Sequence, residues 1–316
     1  MLLPHLAPIR GISQTLRLRA VARLRAGEKQ EALADVKLGL RLADALNNEP
    51  LLISQLVRIA VLQQAIQPVW EGIVRHEWSD AQLREMQKLF AGIDLCSAYV
   101  RAIRAERAFG NVAIDELRTG RTSFPSFGDP ADGSGQAPAW AAGRLIPSGW
   151  FRLNQVTLNR LFQERCLPVV DAEKRRVNVD LAMTVDEAPE LKQAGVFNLF
   201  ARMLLPAVGK SVSKFAHGQT VADLAAIACA LERYRLKHGD YPERLDPLVP
   251  EFIAHIPTDV ISGELPRYRR ETGDRFVLYS VGWNQSDDGG EPGVTKSGSA
   301  FDPQRGDWVW RFPSLP

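Results

Sequence analysis

Between Gly282 and Glu291 the chain reads Gly-Trp-Asn-Gln-Ser-Asp-Asp-Gly-Gly-Glu. Asn284, Gln285, Ser286, Asp287, Asp288 and Glu291 bring side-chain oxygens into one short run. Gly282, Gly289 and Gly290 let the backbone turn so that carbonyls can join them. Calcium takes about six to eight hard oxygens in flexible geometry, and a loop of this composition can supply them. No thiolate or imidazole lies in the run, which argues against zinc or copper. The spacing is not that of an EF-hand. On the residues alone, a solvated Asp-Gly turn at the end of a sheet is the simpler reading.

Other chemistry finds little support. Ser262-Gly263 reads as a turn, and no Gly-x-Ser-x-Gly nucleophile elbow occurs. His217, His238 and His255 have no paired serine or cysteine, and no phosphate-cradling glycine loop is present. Cys96, Cys166 and Cys229 are too far apart for a metal or redox motif. Cys229, in an Ala-rich helix, reads as a small buried hydrophobe. His76, Glu77, Glu85 and Glu106 could be assembled on paper into a carboxylate–histidine site, but scattered helix-face charges seldom converge.

The elements around the acidic loop are well marked. Residues 265–270 and 275–281 read as strands joined through Glu271-Thr272-Gly273-Asp274, a hairpin. Both faces of the second strand are largely apolar, so both should be covered. Trp308, Trp310 and Phe312 alternate with Asp307, Val309 and Arg311, which marks a final strand. Upstream, Val221, Leu224, Ala228, Leu231 and Arg235 fall at helical spacing. Thr220 is the expected N-cap of that helix, with Asp223 as an acidic capping-box partner. Lys237 and His238 suit its last turn, Gly239 should stop it, and Pro242 follows. Arg267, Arg269 and Arg270 read as a solvated strand face.

Here a family resemblance enters. The residues Ala230-Leu231-Glu232-Arg233-Tyr234 and His238-Gly239-Asp240-Tyr241-Pro242 begin it. Leu248, Ile256-Pro257-Thr258-Asp259, Ser262-Gly263 and Tyr268 continue it. Leu278-Tyr279-Ser280-Val281-Gly282 and Asp287-Asp288-Gly289-Gly290 complete it. In order and spacing this resembles the soluble domain of type II secretion major pseudopilins, over about a quarter of the chain. The resemblance implies a long helix packed on a small antiparallel sheet, with a structural calcium ion in the loop after the strand. Asp287 and Asp288 match the family's aspartate pair. Asn284, Glu291 and a carbonyl from Leu278 or Val281 would complete the ligands. One departure is large: pseudopilins begin with a cleaved apolar helix that builds the filament, whereas roughly two hundred other residues precede the helix here. A pseudopilin-like module is therefore implied, not a filament subunit. In this respect the chain is similar to large planctomycete-like bacterial proteins that carry the module behind an α-helical region.

The expected fold class is α+β, an all-α N-terminal region followed by a pilin-like helix on a small sheet. The expected divisions are 1–118, helical; 119–149, a Gly/Pro-rich loop or strap containing Phe124, Phe127 and Trp140; 150–208, helical; and 209–316, the pseudopilin-like module. Residues 16–26 and 31–46 read as a hairpin like half of a tetratricopeptide repeat, with Ala22, Gly27 and Ala32 allowing close approach. No second copy follows at a fixed period. Residues 51–70 read as a nearly all-apolar central helix, and Ser79 caps another. Residues 171–186 read as charged and irregular, and 291–304 as polar and Gly-rich.

With 39 basic and 37 acidic side chains the net charge is +2, which gives no footprint for nucleic acid. No apolar run reaches the length of a membrane span, and Met1-Leu2-Leu3-Pro4 is too short for a signal peptide. Taken from Met1, the chain reads as cytoplasmic. The resemblance implies the periplasmic side of the cell envelope, held to the membrane through an anchor absent from this chain. The expected function is non-enzymatic protein–protein contact in a secretion-related or surface assembly. The rivals are a hydrolase with its site between the helical region and the 119–149 loop, and a cytoplasmic helical scaffold.

Overall fold

A computed structural model of the protein describes residues 3–121, 146–185, 187–192, 195, 197–295 and 301–312. Most of the expected 119–149 strap, with Phe124, Phe127 and Trp140, lies outside the described residues. So does the strap side of the hydrolase reading.

Helices α1 (Leu6–Arg25) and α2 (Lys29–Ala45) form the expected hairpin. Gly27 makes the reversal with φ +80°, a left-handed conformation that glycine adopts without strain. Of the small residues expected in the contact, only Ala32 is buried; Ala22 and Gly27 are exposed. Ala20 is buried on α1, while the close approach on α2 is to the next helix: a Cβ on Gly39 would stand 3.2 Å from that of Ala65. Asp35, buried on α2, locks the pair by accepting from Arg19 Nε at 2.9 Å and Arg23 Nη1 at 2.7 Å.

Helix α3 (Leu52–Val74) is the expected apolar helix, with Pro68 inside it, extended by one turn past Trp70. Helix α4 (Asp80–Ala91) begins at Ser79, which forms a reciprocal capping box with Gln82. Helix α5 (Leu95–Thr119) is capped by Asp94 and ends at Gly120. Helix α6 (Ser148–Leu161) runs into one wide turn at Phe162–Cys166. The stretch expected to be irregular instead forms a small hairpin, β1 (Val170–Asp171) and β2 (Arg176–Val177), then α7 (Val179–Val185). Val170, Val177, Val179 and Val185 are all buried there, and the Val177 amide donates to the Val260 carbonyl at 2.8 Å. That anchoring is tertiary, so no local period announces it. Helix α8 (Pro189–Lys192) is a single turn.

Helix α9 (Leu199–His238) is the axis of the molecule. It packs on α3, α4, α5 and α6 and on the sheet. Its start corrects the expectation of an N-cap at Thr220, which lies buried in mid-helix. The polar lead-in is helical because its small residues pack: a Cβ on Gly218 would stand 2.9 Å from Leu95 and 3.0 Å from Ile59. Val208, the expected boundary, lies inside α9, so the residues on either side share one helix. Gly239 ends it with φ +86°, as expected.

The main sheet has the order β3 (Arg267–Glu271), β4 (Arg275–Ser280), β7 (Trp308–Arg311), all antiparallel. Leu278 pairs with Tyr268 on one side and Trp310 on the other. Phe276, Leu278, Trp308, Trp310 and Phe312 join the core of α9. The expected polar tail instead contributes a further antiparallel pair, β5 (Pro292–Val294) with β6 (Phe301–Gly306). The fold is α+β, a helical N-terminal region and a long helix on a small antiparallel sheet. The two parts are joined by hydrogen bonds as well as by packing: Trp70 Nε1 to the Arg311 carbonyl at 3.1 Å, and Arg233 Nε to Asp80 at 2.8 Å.

Candidate functional site

The acidic loop leaves the end of β4 and folds back over that strand's outer face. A Cβ on Gly290 would stand 2.8 Å from Val277 Cγ1, so the loop lies directly on the strand. Its anchor is a residue that sequence reasoning placed only in an alternating strand. Asp307, 0% exposed, accepts from the Gly290 amide at 2.6 Å and the Asp288 amide at 3.3 Å. Burial, aided by the nearby Asp288 and Asp287, raises its carboxyl above the usual range despite those amides. The one sequence signal for this role was an acid directly before an aromatic strand.

The expected ligands are placed as follows. Asp287 Oδ1 accepts the Tyr279 hydroxyl and the Gly289 amide, each at 3.0 Å, while Arg267 Nε stands 3.6 Å from Oδ2. Asp288 Oδ2 accepts from Asn284 Nδ2 at 2.7 Å. Glu291 turns to Arg311, 3.0 Å away. Leu278 lies in the central strand, flanked by paired strands on both sides. Asn284 and Asp288 are thus brought together, whereas Asp287 turns to Tyr279 and Arg267, Glu291 to Arg311, and Leu278 sits within the sheet. Among the described residues no three His, Cys, Asp or Glu side chains cluster around one point. The donors suit calcium in type. In this arrangement they already have partners, and an ion would have to displace the Asn284 amide and Arg267.

The paper constellation on the helices separates. Glu77 pairs with Lys29 at 2.6 Å and Glu85 with Lys37 at 2.5 Å, while Glu106 accepts the Leu52 amide at 2.9 Å. His76 alone meets a carboxylate across the fold, Glu232 at 3.0 Å. His217 packs between Phe301 and Trp308, and burial lowers its pKa to about 4. His238 stacks on Tyr234. The cysteines are all buried, and burial raises the Cys96 thiol to about 12 and Cys229 further.

A site without a sequence signal lies between α4, α9 and residues 250–257, where a cavity of about 400 Å³ opens. Arg175 reaches it from the β1–β2 turn with φ +50°, a strained conformation for a non-glycine residue. Its guanidinium grips Asp223 at 2.8 and 3.0 Å. Burial raises the Asp223 carboxyl to about 6, although Arg175 and Gln219 oppose the shift. Asp223 was expected to cap a helix; it serves as an ion-pair partner in mid-helix instead.

No protein-family model matches the chain, and no curated protein or solved structure matches it either.

Proposed function

We propose that the protein is a non-enzymatic binding protein of the cell envelope, in which the pseudopilin-like part presents the 284–291 loop to a protein partner in a secretion-related or surface assembly. The observation that supports this is the contrast within the loop. Its residues 284–289 are exposed in succession, yet the backbone is fixed from beneath by the fully buried Asp307. A loop already ordered on a rigid sheet loses little entropy when it binds.

In this reading calcium replaces the Asn284 amide and Arg267 as partner of Asp288 and Asp287, and its role is structural. Few acidic ligands imply weak affinity, on the order of 10⁻⁴–10⁻³ M, the range of extracellular modules. That range favours a compartment outside the inner membrane. None of the described helices is long and apolar enough to cross a membrane, so attachment in this reading uses an anchor other than these helices. The filament-building role of pseudopilins is not proposed, because the middle of α9 is enclosed by α3, α4, α5 and the sheet.

The test is site-specific photo-cross-linking in the native cell, with the probe at Ser286 or, as a control, at Arg25 on α1. A protein adduct formed at Ser286 and abolished by Asp287→Ala with Asp288→Ala supports the proposal. Adducts of equal yield at both positions, insensitive to the loop substitutions, overturn it.

A further inference from the structure

A larger cavity, of about 630 Å³, lies among α2, α3, α4 and the start of α5. Arg58 on α3 lines it and is 5% exposed. A guanidinium has five N–H donors, but among the described residues Arg58 donates one long hydrogen bond, Nη1 to Gln55 Oε1 at 3.3 Å, and its Nε has no partner. Among the described residues no carboxylate stands within ion-pair distance of it. A buried cation in this state is costly unless something pairs with it.

The surroundings add positive charge. Arg41 and Lys88 also line the cavity without a carboxylate partner among the described residues, and Arg101 donates only to Asn47. Lys37 is neutralised by Glu85. Of the two remaining acids, Asp94 caps α5 through the Ser97 amide, and among the described residues Asp44 makes no ion pair; both act on Arg58 through space without a direct contact. The lining side chains carry an excess of two positive charges. Leu40, Leu62, Leu89 and Ile93 supply apolar wall between the charges.

We propose that this cavity binds a small organic dianion, a phosphate monoester or a dicarboxylate, whose oxyanion seats on the Arg58 guanidinium and whose apolar body lies against Leu62 and Leu89. Arg58 supplies a planar donor fork matched to carboxylate or phosphate oxygens. Arg41, Lys88 and Arg101 balance the second charge at the mouth. The volume lies within the range of small-molecule sites, about 300–1,000 Å³. The site is independent of the acidic loop and of the function proposed from it.

Calorimetric titration of the full chain tests this, with phenyl phosphate, phthalate and uncharged benzyl alcohol at matched ionic strength. At least one dianion should bind and benzyl alcohol should not; the preferred dianion identifies phosphate or carboxylate as the natural group. Arg58→Met should weaken binding about tenfold or more. It should also raise the melting temperature of the ligand-free protein, because it removes a buried unpaired charge. Lys88→Glu and Arg41→Glu alter exposed side chains. Each should weaken binding roughly three- to tenfold at unchanged ligand-free melting temperature, and they carry the test should Arg58→Met fail to fold. The proposal is overturned if neither dianion binds at about 10 mM, or if Arg58→Met or Lys88→Glu binds as the parent does.

Discussion

The Tyr241 hydroxyl donates to Glu232 Oε2 at 2.5 Å, across the corner where Gly239 ends α9. Glu232 is 0% exposed, yet it also accepts from His76 Nδ1 at 3.0 Å and from Arg235 at 2.7 and 3.0 Å. Burial alone would push this carboxyl up; the donors outweigh it and hold the group below the usual range. The same contacts bind the end of α9, the residues after it and the end of α3 into one cluster.

Breaking that cluster should be expensive. Glu232→Gln leaves Arg235 and His76 facing a neutral amide and should cost about 3 kcal/mol. Tyr241→Phe removes one donor and should cost about 1–2 kcal/mol. Urea unfolding measures both, and losses under half a kcal/mol would show that the cluster adds little.

Asp307 and Gly290 should act as one device. Asp307→Asn converts an acceptor-only group, already bonded to two amides, into one with a misplaced donor. It should cost about 2 kcal/mol and speed hydrogen exchange at the Asp288 and Gly290 amides. Gly290→Ala must fit a methyl 2.8 Å from Val277 Cγ1 at φ +85°, which should cost about 1–3 kcal/mol. Unchanged exchange at both amides in Asp307→Asn would show that something else holds the loop.

Calcium should raise the melting temperature of the parent protein relative to chelator. The combined Asp287→Ala and Asp288→Ala variant should lose that difference, while retaining a smaller loss in chelator from the missing Tyr279 and Asn284 contacts. An equal response to calcium in parent and variant would remove the ion from the loop.

Two buried titrations should oppose one another. Asp223 has a folded pKa of about 6 against an ordinary 3.8, so the folded state holds its proton more tightly. Its contribution to stability falls as pH rises from about 4 to 6, by up to about 3 kcal/mol. His217 goes from an ordinary 6.5 to about 4 in the fold, so the folded state holds its proton less tightly. Its contribution is full above about pH 6.5 and falls as pH drops towards 4, by a similar amount. Across pH 4–6 the slopes largely cancel. Asp223→Asn should make stability rise more steeply with pH, and His217→Gln should make it fall. Denaturant midpoints at half-unit pH steps decide this; parallel profiles for both variants and the parent would refute it.

The sequence by itself determined what neighbours in the chain determine. Ser79 with Gln82, Gly239 at a helix end, the hairpin of β3 and β4 and the aromatic face of Trp308, Trp310 and Phe312 each depend on residues a few positions apart. Their dihedral preferences and periodicities are therefore written locally. The run of oxygens at 284–291 could also be read, but its anchor could not. Asp307 meets Gly290 across 17 residues, Arg175 meets Asp223 across 48, and His76 meets Glu232 across 156. For the same reason Thr220 looked like a helix start: its polar, small-residue surroundings pack against α3 and α5, where a Cβ on Gly218 would meet Ile59 and Leu95. Arg58 marks the limit most sharply. Its charge gave no sign in the sequence, since burial without a direct carboxylate partner is a property of four packed helices and of no one of them.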